Sequence, residues 1–169
     1  MKSKRIKRLT LLAMMVALDV ILSPLFRIEG MAPMSSVLNV TAAVLMGPLY
    51  ATIMALMTAI LRMVLLGIPP LALTGALFGA LFAGLGYKIS GQVGSAIGGE
   101  IFGTGIIGSL LSYPVMVWFT GSSNGLFWLV YTPRFLGGAI SGSVVAWLVL
   151  YKLKETSIFQ KSRTVFQSK

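Results

Sequence analysis

Three ionisable side chains fall inside long apolar stretches of this sequence: Asp19, Arg62 and Glu100, accompanied by the amide of Asn39. A charged or ionisable group at membrane depth is costly and is a functional candidate by default. Arg62 lies about 14 residues into its stretch and Glu100 about seven into its own, ~20 Å and ~10 Å from the same end at ~1.5 Å per residue. Their long side chains reach partly towards each other. One reading is therefore a structural ion pair between Glu100 and Arg62 or another cation; the sharper one is a role in binding or coupling to a ligand. A second set gathers towards the opposite end: Ser35, Ser36 and Asn39, then Ser112 and Tyr113, then Asn124, Trp128 and Tyr131. Aromatic rings beside amides suit a flat heteroaromatic ligand, with stacking for affinity and a few polar groups for orientation. Trp and Tyr at this depth equally suit a membrane interface.

The inventory excludes much other chemistry. Cys and His are both absent, so no thiolate nucleophile, no zinc site of the usual type and no His-based triad is available. Asp19, Glu29, Glu100 and Glu155 are the only acids. No GxxxxGK phosphate loop is present. The chain is expected to be no enzyme and to need no cofactor; any energy source must come from a partner or an ion gradient. An intramembrane enzyme using Glu100 and Asp19, or a purely structural protein, is a weaker alternative.

The elements that must position these groups are membrane helices. Of 169 residues, 56% are hydrophobic and 11% charged, against about 25% charged in a soluble domain. Mean hydropathy is +0.89. Six helices of ~20 residues fit the length if the loops are short. The sequence predicts an all-α integral membrane protein, a compact six-helix bundle forming a single domain over 1–169. Spans are expected at 9–25, 37–46, 49–66, 71–89, 93–119 and 133–153, with a basic N-terminus at 1–8 and a basic tail at 154–169. Gly47-Pro48 separates the second and third spans, since Gly ends and Pro begins helices; merging the two would give five. Pro114 is expected to kink the fifth. Lys2, Lys4, Arg5, Lys7 and Arg8 place the N-terminus in the cytoplasm by the positive-inside rule, and six spans return the C-terminus there. The net charge of +10 is thus a topology signal rather than a nucleic-acid footprint. The stretch 2–22 resembles a signal peptide but lacks a small-x-small cleavage site.

Small residues recur every four positions: Gly75, Gly79 and Ala83; Ser95, Gly99 and Gly103; Gly138, Gly142 and Ala146. Such stripes let helices approach closely in lipid, and packing within one bundle is the expected use. In the first span Thr10, Ala13 and Ala17 share a smooth face, with Asp19 roughly opposite beside Leu12 and Met15.

Three stretches carry a resemblance: NVTAAVLMGPLYA at 39–51, GALFGALFAG at 75–84 and GEIFGTGIIGSLLSYP at 99–114. With the length and layout, they resemble the substrate-binding S components of energy-coupling factor vitamin transporters. Within that group the chain looks most like the ThiW family, carriers of hydroxyethylthiazole, the thiazole precursor of thiamine. The resemblance implies a bacterial plasma-membrane subunit that captures a vitamin precursor from outside, docks on a transmembrane coupling subunit carried by two cytoplasmic ATPases, and tips to release it inside. It implies docking through an Ala-x-x-x-Ala motif, matched here by Ala13 and Ala17. It also implies a ligand site near the outer side; the substrate-binding candidates are Ser36, Asn39, Arg62, Glu100, Tyr113, Asn124 and Trp128. Ser36 stands where the family often has His, and Gly67-Ile68-Pro69-Pro70 replaces a longer turn. Both departures lie on the expected ligand side. Thiamine and hydroxymethylpyrimidine are the alternative ligands.

Overall fold

In a computed structural model of the chain, residues 2–28, 31–121, 123, 125 and 127–167 are described, and they are almost entirely helical. Helix α1 spans Lys2–Leu25, α2 Pro33–Leu66 and α3 Leu71–Ser90. Helix α4, Val93–Glu100, continues through a π-helical segment, Ile101–Gly108, into α5, Ser109–Thr120. Helix α6 spans Thr132–Leu153 and α7 Ser157–Gln167. Five of these runs are long and apolar enough to cross a membrane: Lys4–Leu25, Pro33–Leu66, Leu71–Ser90, Val93–Thr120 and Thr132–Leu153. The chain is a multi-pass membrane protein, and its many exposed Leu, Ile, Val and Phe side chains suit a lipid surround.

The expected second and third spans are thus joined in one 34-residue helix, α2. The join is not a straight rod. Gly47 has φ 79° and ψ 177°, a conformation outside the helix and open to glycine, and Pro48 restarts the helix behind it. Neighbours give the direction on either side. The Asn39 side chain reaches the carbonyl of Ala76 in α3, and Pro48 lies against Gly84 of the same helix, so the first half runs alongside α3 in the same sense. Arg62 then lines the same cavity as Ser36 and Leu71. The chain has therefore turned back at Gly47, and α2 is a hairpin of two helical halves, 33–46 and 48–66.

The small-residue stripes seal helix pairs inside the molecule. A Cβ on Gly103 would collide with the backbone of Phe78, one on Gly99 with that of Phe82, and one on Gly108 would sit 2.8 Å from the Cα of Gly75. Helices α3 and α4–α5 therefore touch backbone to backbone. The hydroxyls of Thr74 and Ser112, 2.6 Å apart, pin the same seam, and those of Ser109 and Thr132, 3.1 Å apart, join α5 to α6. A core of Val40, Val44, Met54, Ala80, Ala83 and Leu150 fills the centre.

Two further features depart from the sequence-based expectation. The fifth span winds as a π-helix over Ile101–Gly108, where Gly103, Gly105 and Gly108 remove the side chains that would hold it in an ordinary helical pitch. The basic tail is not simply an extension, because Ser157–Gln167 folds as α7. Its Phe159 is buried, and its Phe166 meets Tyr50 edge-on at 4.9 Å. The Arg8 Nε donates to the carbonyl of Val165 at 2.7 Å, tying the start of α1 to α7.

Candidate functional site

A cavity of about 60 Å³ opens at the end of the bundle remote from that contact. Its floor is polar and deeply buried. Asn39 (1% exposed) comes from the first half of α2, Arg62 (3%) from the second, and Glu100 (0%) from the last residue of α4. Ser36, one turn before Asn39, lines it as well. Met31 and Ala32, in the connection between α1 and α2, lie over α6 at Gly137 and Gly138 and close one side; Phe135 of α6 supplies an aromatic wall.

Glu100 is held where ordinary helix ends and π-helix begins. The Thr104 hydroxyl lies 2.9 Å from Glu100 Oε1 and 3.0 Å from the carbonyl of Gly75, so its single proton is shared between two acceptors. Asn39 Nδ2 donates to the same Oε1 at 3.3 Å and to the Ala76 carbonyl at 3.4 Å. Gly79 makes the room: a Cβ there would lie 2.6 Å from Glu100 Oε2. π-Helical turns are frequent at functional sites, and here the turn carries Thr104 onto the carboxylate.

The ion pair considered between Glu100 and Arg62 is not formed. The acid acting on Arg62 is Asp19 of α1, which is fully buried and takes a hydrogen bond from the Ser23 hydroxyl. Asp19 stands behind Arg62 and is not part of the cavity wall.

Of the sequence candidates, Ser36, Asn39, Arg62 and Glu100 meet around one cavity. Tyr113 and Trp128 pair with each other instead, ring centroids 4.7 Å apart and planes tilted by 40°, and neither lines the cavity. Asn124 lies outside the described residues. The lining also includes Arg27, Thr104, Arg134 and Phe135, which the sequence reading did not nominate. Thr104 had a usable signal, since it follows Glu100 by one helical turn on the same face. Arg27 lies just beyond the first expected span and Arg134 at the start of the sixth, where each reads only as an outer-side charge.

What most distinguishes the cavity is incomplete hydrogen bonding. Asn39 Oδ1, Arg62 Nε and Glu100 Oε2 are buried without a hydrogen bond of ordinary geometry, although the Ser36 hydroxyl is near enough to act on the Glu100 carboxylate. Buried polar atoms are nearly always satisfied, and leaving one unmade costs ~1–3 kcal/mol. Two acceptors and one donor on residues that line a single cavity make a candidate template for a small ligand with complementary groups. A family model described as thiamine-precursor transporter protein (ThiW) matches residues 9–156. The chain belongs to the ThiW family. No curated protein and no solved structure matches it. As a ThiW protein it is a transporter of a thiamine precursor, and the cavity is the candidate place for that molecule.

Proposed function

We propose that this chain is the high-affinity substrate-binding subunit of an ATP-driven energy-coupling factor importer in the cell membrane, and that its substrate is hydroxyethylthiazole. The observation that carries the reading is the set of unpartnered atoms in one buried cavity. The hydroxyl of the substrate donates to Glu100 Oε2 or Asn39 Oδ1, and the ring nitrogen accepts from Arg62. Ser36 contributes from the turn above, and Phe135 flanks the ring. At 60 Å³ the cavity is smaller than the ~150 Å³ that holds a benzene ring, so Met31 and Ala32 shift outward when substrate enters.

The topology in this reading has six crossings, because each half of the α2 hairpin crosses once, and both termini are cytoplasmic. The Arg8–Val165 contact supports it, since an even number of crossings is needed to bring the N-terminal and C-terminal segments to one end. The basic residues of α1 make that end cytoplasmic, so the cavity faces outward. Helix α1 then has two jobs. Leu12, Met15, Val16 and Asp19 are buried against the bundle, while Ala13 and Ala17 are exposed on a smooth strip. That strip docks on a transmembrane coupling subunit, whose two ATPase partners hydrolyse ATP.

Calorimetry on the detergent-solubilised protein tests the substrate. Selective binding of hydroxyethylthiazole over thiamine and hydroxymethylpyrimidine is the expected result. Preferential binding of either rival would reassign the substrate, and no binding of any of them would overturn the reading.

A further inference from the structure

We infer that the cavity is built for a thiazole carrying an oxyanion, a carboxylate or a phosphate ester, in preference to the neutral alcohol. This rests on the proposed thiazole-binding role and, within it, puts an anionic thiazole in place of the neutral alcohol as the preferred substrate. Among the described residues three guanidinium groups line the cavity, those of Arg27, Arg62 and Arg134, against the single carboxylate of Glu100. Arg62 is almost fully buried with its Nε unpartnered. Arg27 is close enough for its like charge to be felt at Arg62. Asp19 acts on Arg62 from behind, outside the cavity. Among the described residues the lining therefore carries more guanidinium groups than carboxylates.

A neutral ligand leaves that excess uncompensated, most expensively at the buried Arg62. An oxyanion compensates it, and guanidinium groups suit carboxylate and phosphate oxygens because their N–H donors form a planar fork. The buried floor divides along the same line. Glu100 Oε2 and Asn39 Oδ1 accept hydrogen bonds and reject an anion, whereas Arg62 donates. A ring carboxylate that keeps the hydroxyethyl arm satisfies both parts, whereas a phosphate ester, whose arm is esterified, engages the arginines alone. Arg27 and Arg134 are exposed at the mouth, where they attract such a molecule before Arg62 engages it.

The test is calorimetry of the full chain in detergent with three compounds: the neutral hydroxyethylthiazole, its phosphate ester, and a ring carboxylate that keeps the hydroxyethyl arm. At least one anionic compound is expected to bind about tenfold or more tighter than the alcohol, as a charge-assisted hydrogen bond warrants. Which of the two does so identifies the oxyanion. The advantage should fall severalfold in Arg62→Gln and, as a gentler change at an exposed position, in Arg134→Gln. Equal or tighter binding of the neutral alcohol would overturn the inference while leaving the thiazole-binding role intact. So would an anionic preference that survives both substitutions. If none of the three binds, the proposed role itself fails and the inference with it.

Discussion

The two ends of this bundle treat their polar groups in opposite ways. At the basic end, charge is absorbed by structure: the Arg8 guanidinium bonds the Val165 carbonyl, while Lys154 and Arg163 lie 5.8 and 5.4 Å from the centre of the Tyr87 ring. Helix α7 covers this end with Phe159 and Phe166. At the cavity end, polar atoms are buried but left open. Among the described residues, and apart from Ser143 in α6, the buried side-chain atoms lacking a partner belong to Asp19, Asn39, Thr58, Arg62 and Glu100. Asn39, Arg62 and Glu100 line the cavity, and Asp19 acts on Arg62 from outside its wall. A fold that ties up its charges at one end and leaves buried hydrogen bonds unmade at the other suits one-sided capture of a solute.

The largest effect that sharpens this contrast lies on neither end but along α1. Ala13→Trp or Ala17→Trp should abolish thiazole uptake in cells carrying the coupling subunits, with calorimetric affinity unchanged, because the strip faces away from the cavity. Uptake at the wild-type level would remove the docking role. Next in size is Gly79→Val. It forces a branched side chain onto Glu100 and Thr104, and overpacking of this kind costs ~1–3 kcal/mol. Thiazole affinity should fall sharply and Tm should drop by several degrees; full affinity would mean that Glu100 is not part of the site. Asn39→Ala should weaken binding by ~1 kcal/mol or more, about fivefold, and an unchanged Kd would take Asn39 out of the site. Smallest of all, Trp128→Ala should leave Kd within about twofold, since Trp128 is 56% exposed and packs on Tyr113 outside the cavity. A large loss there would shift the site towards that aromatic pair.

Hydropathy made the helices legible, and the break at Gly47 was legible in the Gly-Pro pair. What the sequence conveyed was depth along each helix; what it withheld was direction around the bundle axis. Tyr113, Trp128, Ser36 and Asn39 share a depth range, yet only the last two face the cavity. Arg62 and Glu100 appeared to be partners because their charges are opposite, but Asp19, on a helix packed against α2, is the acid that acts on Arg62. The π-helical segment had no readable signal, since glycine-rich runs such as Ile101–Gly108 equally suit close-packed α-helix. Helix α7 was hidden by its charge. Its Lys161 and Arg163 signalled cytoplasmic orientation, while Phe159 and Phe166, which fix it to the bundle, are only two aromatics in a polar stretch.

The most direct measurement is an experimental structure with hydroxyethylthiazole or one of its anionic analogues bound. Density for the ring between Glu100, Asn39 and Arg62, flanked by Phe135, is the predicted result. Ligand seated against Tyr113 and Trp128, with Glu100 Oε2 and Arg62 Nε still unpartnered, would contradict it.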